Sequence, residues 1–302
     1  MYNTPVLLLV FNRPDLAERV LNKIKEVRPA KLFIAADGPR VEKTGEIELC
    51  TATRNIVLQN IDWPCEVKTL FRDKNFGCKV AVSDAISWFF EQVEEGIILE
   101  DDTLPDVSFF SFCSSMLEQY RTNTSVMHIG GDCFLPFPLP ESYYFTNYTH
   151  IWGWATWRRA WNLYDIEMKD WKDQKQTNFL RKRLRHGRSE KYWKGIFDSV
   201  YFNEFDTWDY QWTYCCWIND GIAIAPAVNL ITNIGFRSDA THTLSDQSAL
   251  ANIPACHMDI PTLKHPSRVE INKKADHYVR DNIYVGKPIS LVNKIYNKLF
   301  KV

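Results

Sequence analysis

Glu100, Asp101 and Asp102 follow one another directly after Ile97, Ile98 and Leu99, in the stretch GIILEDD. Three adjacent carboxylates repel, and repulsion raises at least one of their pKa values. Their place, where an apolar run leaves the core, suits a solvated loop or a helix N-cap. It also suits a hard cation, because Mg2+ or Mn2+ takes oxygen ligands and joins one or two carboxylates to phosphate oxygens. Such a cation would offset the repulsion and stabilise charge on a leaving diphosphate.

The elements that must position these groups show in the hydrophobic pattern. Apolar runs at residues 5–11, 31–36, 66–71 and 96–99 recur at roughly the length of a strand plus its crossover helix. Leu16, Val20, Leu21, Ile24 and Val27 form a helical stripe, with Pro14 and Asp15 placed for its first turn. Val80, Ala81, Ala85, Ile86, Phe89 and Phe90 form another. This alternation predicts an α/β fold with a parallel sheet covered by helices on both faces. Ligands of such sheets bind beyond the carboxyl ends of the strands. Asn12-Arg13, Asp37-Gly38, Arg72-Asp73 and the acidic triplet are therefore expected on one rim. There is no GxGxxG after the first strand and no GxxxxGK[ST] anywhere, so dinucleotide and P-loop readings lose most of their support.

After residue 103 the rhythm changes. Residues 107–120 read as helix, 126–129 as a short strand and FLPFPLPES as a loop. HIWGWATWRRAW carries four tryptophans in residues 152–161. The basic stretch RKRLRHGR reads as a solvated helix face or a patch for an anionic acceptor or membrane. FDTWDYQWTYCCW follows, then GIAIAPAVNLITNIGF, whose composition suggests a short pair of strands. The tail ISLVNKIYNKLFK puts Ile289, Val292, Ile295, Tyr296, Leu299 and Phe300 on one side, beside three lysines. That helix fits docking on the protein's own core or lying on a membrane surface.

The 302 residues suffice for a sizeable core, with 45% hydrophobic and 24% charged residues. A formal charge of −1 argues against wholesale binding to nucleic acid. MYNTPVLLLVFNRPD lacks a secretory signal's basic start and cleavage site, and no run approaches a spanning helix. The eight cysteines are scattered without a CxxC pair, which suits reduced thiols. A cytoplasmic protein is expected, with possible contact to the inner membrane face through the tail helix.

VLLLVFNRPD, FIAADG, NFGCKVAVSDAISWFF and IILEDD together resemble the nucleotide-sugar-binding half of glycosyltransferases with the GT-A fold. GWATWRRAW, TWDYQW and AIAPAVNLITNIGF extend the resemblance, in the family's order, to roughly residues 5–243. The branch it resembles holds bacterial relatives of N-acetylglucosaminyltransferase I, which are inverting and metal-dependent. Their DxD is here Glu-Asp-Asp. The resemblance implies a GT-A, Rossmann-like domain over residues 1–243, with a nucleotide-binding half at 1–105 and an acceptor-side half at 106–243. Residues 244–302 would be a C-terminal extension with an amphipathic helix.

Roles follow position by position. The resemblance makes Asp102 the ligand of Mn2+ or Mg2+, sets Asp101 by the ribose and Glu100 by the donor sugar. It places Asn12 and Arg13 beside the nucleotide and Asp37 at the base. Lys79 would reach the diphosphate, or is simply a solvated helix position. Inversion requires a carboxylate that takes the proton from an acceptor hydroxyl. Asp209, directly after Trp208, is preferred, and Asp206 is its rival; either could instead cap a helix. Trp154 is favoured over Trp152 and Trp157 for a sugar face, with core packing the other reading. Arg237 and His242 lie where a loop of this fold often closes over the diphosphate.

The implied reaction moves a sugar from a nucleotide-diphosphate donor, a UDP-sugar above others, to a carbohydrate or glycolipid acceptor, as in surface polysaccharide or glycoconjugate synthesis. Two alternatives stand beside it. A sugar nucleotidyltransferase would show a Gly-rich basic loop after its first strand, which VFNRPD lacks. A non-catalytic carbohydrate- or membrane-associated module on the same fold is the other.

Overall fold

The computed structural model describes residues 2–236 and 250–286. Val6–Val10 (β1) is buried along its whole length, the continuous apolar pattern of a strand covered on both faces. Lys31–Ala36 (β2), Glu66–Phe71 (β3) and Glu95–Glu100 (β4) join it in parallel, in the order β3-β2-β1-β4.

Pro14–Val27 (α1), Glu46–Gln59 (α2) and Gly77–Phe90 (α3) are the crossovers. α1 starts on Pro14, whose fixed φ suits the first turn and whose missing N–H costs nothing there. It buries Leu16, Ala17, Val20, Leu21 and Ile24, and ends at Arg28, whose left-handed backbone (φ 50°) returns its N–H to the Ile24 carbonyl. No amphipathic stripe announces α2, which buries only Glu46, Cys50, Thr53 and Val57.

The second half continues the same sheet. Thr103–Pro105 (β5) leads into Val107–Tyr120 (α4), capped by the Asp106 carboxylate, which accepts the Ser108 N–H at 2.9 Å. Val126–Gly130 (β6), Tyr143–Thr146 (β7) and Trp154–Trp157 (β8) follow. Next come Arg158–Trp161 (α5), Trp171–Gln174 (α6), Phe179–Leu184 (α7), Gly187–Tyr201 (α8) and Asp209–Ile218 (α9). Ile222–Pro226 (β9), Ile231–Asn233 (β10) and Lys273–Val279 (α10) complete the set, α10 running into a π-helical turn at Arg280–Tyr284.

The main sheet has the order β3-β2-β1-β4-β8-β6-β9-β7. β8 is antiparallel to β4 and β6, β9 parallel to β6, and β7 antiparallel to β9. The sheet is thus mostly parallel, with helices on both faces, as expected. One face packs on α1 and α4, the other on α3 and the tryptophans of α8 and α9.

The two strands expected in GIAIAPAVNLITNIGF both form, but not with each other. β9 enters the main sheet, whereas β10 pairs with β5. Buried Asn229 redirects the chain between them, its amide accepting the Cys133 N–H and donating to the Ile231 carbonyl.

Within the C-terminal extension, α10 packs at the far end of the sheet: Ala275 clusters with Cys133 and Tyr144, and the Asn272 N–H reaches the Phe145 carbonyl at 2.8 Å. The stretch expected to form the tail helix lies outside the described residues, and so do Arg237 and His242. All eight cysteines are free. Among the described residues no helix is long and apolar enough to cross a membrane.

Candidate active site

The carboxyl ends of β1, β2, β3 and β4 share one edge because the strands run in parallel. Phe11, Asn12, Arg13, Asp37, Arg72, Glu100 and Asp101 there line a cavity of about 270 Å³, closed on the helix side by Gly77, Cys78 and Asp206. Four strand ends expected on one rim therefore meet around one space.

Arg13 is its electrostatic centre. Its Nη2 pairs with Asp101 Oδ1 and lies 3.1 Å from Asp102 Oδ2. Burial works against the Arg13 charge, but Asp101, Asp102 and Glu100 more than offset it and hold the guanidinium protonated. Burial lifts Asp101 to about 6 despite Arg13 and the Phe11 N–H, which both bond to it. Burial, and then the charges of Asp102 and Asp101, lift Glu100 to about 8. Asp102 is not among the residues lining the cavity. Its carboxylate sits against the backbone of Gly235, where a Cβ would overlap it.

The loops behind the rim are tied by carboxylates. Glu46, 4% exposed, accepts from Arg40 through the backbone N–H at 2.7 Å and through the guanidinium, and from Asn12 Nδ2 at 3.0 Å. Asn12 thus reaches the rim as part of this clasp. Asp37, expected at the base, gives both oxygens to the turn that opens α3: the N–H groups of Gly38, Phe76 and Gly77 and the amide of Asn75 all donate to it. Burial raises the Asp37 pKa against those bonds.

The two rival carboxylates separate clearly. Asp206 accepts the backbone N–H groups of Cys78 and Lys79, at 2.8 and 2.9 Å, and so caps α3 from the loop between α8 and α9. Gly77 permits this, with φ +79° and a Cβ position 2.7 Å from Asp206 Oδ2. Asp209 is the first residue of α9, receives the Thr207 hydroxyl, and lies close enough for its charge to raise Glu100. Lys79, expected to reach a diphosphate, instead donates to Asn203 Oδ1 at 2.8 Å and stands 3.5 Å from Glu167. The same α8–α9 loop that caps α3 has drawn its ammonium away from the cavity.

Trp154 belongs to the core rather than to a sugar-binding face. It is fully buried, stacked against His128 and Trp208 at centroid distances of 5.2 and 5.5 Å. Half-buried Trp152 is the tryptophan of this group that packs edge-on against Phe134 and Phe236. Sequence patterns did not single out Arg40, Glu46 or Asp132. Asp132, 1% exposed, sits on the rim just past β6 with Oδ1 unpartnered, and burial holds its carboxyl well above the usual range.

No family model and no curated protein matches the chain. Solved structures do. S. aureus TarS residues 1–349 aligns with a TM-score of 0.39 at 10% identity, over 76% of this chain and 59% of that one. An apo UDP-glucose pyrophosphorylase gives 0.37 at 9%, over 76% and 93%. The 4-diphosphocytidyl-2C-methyl-D-erythritol synthase of Anaerococcus prevotii gives 0.34 at 6%, over 53% and 74%. Likeness at this level concerns the general run of the chain and assigns neither family nor activity.

Proposed function

We propose that this chain is an inverting, metal-dependent GT-A glycosyltransferase that moves a sugar from a nucleoside diphosphate, UDP above others, to an acceptor hydroxyl. The observation that carries the reading is the cavity at the carboxyl ends of β1–β4, where Arg13, Asp37, Arg72, Glu100 and Asp101 converge. Asp209 stands beside it on α9. Charged and polar groups of both signs at a strand-end crevice suit a polar, anionic ligand.

Asp209 is the base in this reading. Asp206 gives both oxygens to the α3 backbone and is a positioning residue. The acidic triplet suits a divalent cation: Asp101 and Asp102 share the single guanidinium of Arg13, and Glu100 stands next to them. Among the described residues no three His, Cys, Asp or Glu side chains form a closed cage. One or two carboxylates is what Mg2+ or Mn2+ takes when phosphate oxygens complete its shell. Asp102 would hold the cation, which when bound supplies charge opposite a departing diphosphate.

Only Phe11, Asn12 and Arg13 stand between β1 and α1, which leaves no room for the Gly-rich basic loop of a nucleotidyltransferase. The test is melting temperature against UDP with and without Mg2+. At a hundredfold excess over Kd a ligand adds about 2.7 kcal/mol to stability. A rise with UDP that grows with the cation supports the reading, and no rise with any nucleoside diphosphate overturns it.

A further inference from the structure

Residues 181–194 hold seven lysines and arginines against one acid, Glu190, in a chain whose formal charge is −1. They form α7 and the start of α8, away from the residues lining the cavity at β1–β4. Two of these cations serve the fold: Arg183 turns inward to the Gly221 carbonyl, and Arg181 Nε pairs with Glu190 at 2.9 Å. α8 buries Ser189, Trp193, Phe197 and Val200 on one side. At about 3.6 residues per turn, Lys191 and Lys194 fall on the opposite side. Gly187 and Gly195 share that side, and a Cβ added at either would meet nothing within 4 Å, so the face is open. Lys182 and Arg185 are exposed where α7 ends beside it.

The acids bordering this face are already taken. Glu190 holds Arg181, Asp198 holds Lys175, and Asp281 holds Arg280 and stands 3.6 Å from Arg188. Lys182, Arg185, Lys191 and Lys194 have no ion pair among the described residues. Like charges gathered on one helix face repel, and an anionic partner relieves that repulsion.

The course of the chain points to the kind of partner. Arg188 Nη1 donates to the Gly286 carbonyl at 3.0 Å, which holds the end of the described residues against the first turn of α8. From this corner the sequence runs on into Lys287, with Ile289, Val292, Ile295 and Leu299 at the spacing of one helix face and lysines between them. A polybasic surface and an adjoining apolar stripe rimmed with lysine are the two signals that together hold a protein on an anionic bilayer. Nucleic acid or an acidic protein would use the lysines and leave the apolar positions unmatched.

We infer that the α7–α8 corner is a docking surface for an anionic phospholipid bilayer, with Lys182, Arg185, Lys191 and Lys194 meeting the headgroups. The inference stands independently of the transferase reading.

The test is sedimentation of the full chain with phosphatidylcholine vesicles, with and without phosphatidylglycerol. The wild type should sediment with the anionic vesicles alone, and less so as salt rises. Lys182→Glu combined with Lys191→Glu should weaken that binding by about tenfold or more. Its melting temperature should stay that of the wild type, because neither lysine holds another side chain. Ile295→Glu combined with Leu299→Glu should remove the binding that persists at high salt. Equal sedimentation with neutral vesicles overturns the inference, as does none with either kind. Binding that is lost in the tail variant but indifferent to the two lysines belongs to the tail alone and also overturns it. So does tighter binding to a DNA duplex than to the anionic vesicles.

Discussion

Arg13 serves two neighbouring aspartates with one nitrogen: its Nη2 pairs with Asp101 Oδ1 and lies 3.1 Å from Asp102 Oδ2. Asp101 is 3% exposed, so it holds its charge largely because that guanidinium is there. The Phe11 N–H donates to its other oxygen. The rim of the cavity is thus fixed by an ion pair between the ends of β1 and β4, neighbouring strands of the parallel half.

Replacing Arg13 with methionine should therefore cost more than an exposed pair does. Breaking a buried pair from one side costs about 3–5 kcal/mol, and urea unfolding at neutral pH measures it. The loss should shrink in acid, where Asp101 takes up a proton. A loss under about 1 kcal/mol would place the pair with ordinary surface salt bridges.

The same carboxyls set a pH dependence. Folding raises Asp101 from 3.8 to about 6 and Glu100 from 4.5 to about 8, so in this window the folded chain binds more protons than the unfolded one. Stability from these groups is then present below the unfolded pKa values and falls as pH rises through the folded ones. Calorimetry between about pH 5 and about pH 8 should show a declining melting temperature. Mg2+ should recover more of it at the alkaline end. A flat profile, indifferent to the cation, would contradict the assignment.

Gly235→Ala should act through Asp102. The added methyl group would overlap Asp102 Oδ2 and lie 2.8 and 2.9 Å from its Cγ and Cβ, so the whole side chain must move. Stability should fall by about 1–3 kcal/mol, the scale of overpacking. Turnover should drop by about 100-fold, the scale of a misplacement near 1 Å. Full turnover would show that the position of Asp102 does not matter.

Asp206 and Asp209 should part company. Asp206→Ala removes a carboxylate that caps α3, and losing a cap costs about 1 kcal/mol. Asp209→Asn should keep UDP binding and melting temperature but lose about 100-fold or more in turnover, as a missing general base does. Equal loss of turnover in both, or full turnover in Asp209→Asn, would refute the assignment.

The rim was readable from the sequence because strand ends of a parallel sheet share an edge, which groups Asn12-Arg13, Asp37-Gly38, Arg72-Asp73 and the acidic triplet, although Gly38, Asp73 and Asp102 do not line the cavity. What each group does there was not. The Asp206 contact with α3 spans 128 residues, and no spacing in FDTWDYQW announces it. Asp37 was placed at the right edge, but its use as a clasp for the α3 turn depends on tertiary approach. Trp154 could not be told from Trp152 by pattern, because both stand in the same run of aromatics and only depth separates them. Asp132 follows two glycines in no motif, and its burial with Oδ1 unpartnered is what marks it.

Transfer from a nucleotide sugar at the cavity beyond β1–β4 is tested most directly by release of nucleoside diphosphate from a panel of nucleotide sugars with Mn2+. The expected result is slow, cation-dependent release from one donor, a UDP-sugar above others, abolished in Asp102→Asn. No release from any donor, or release indifferent both to the cation and to Asp102, would contradict the account.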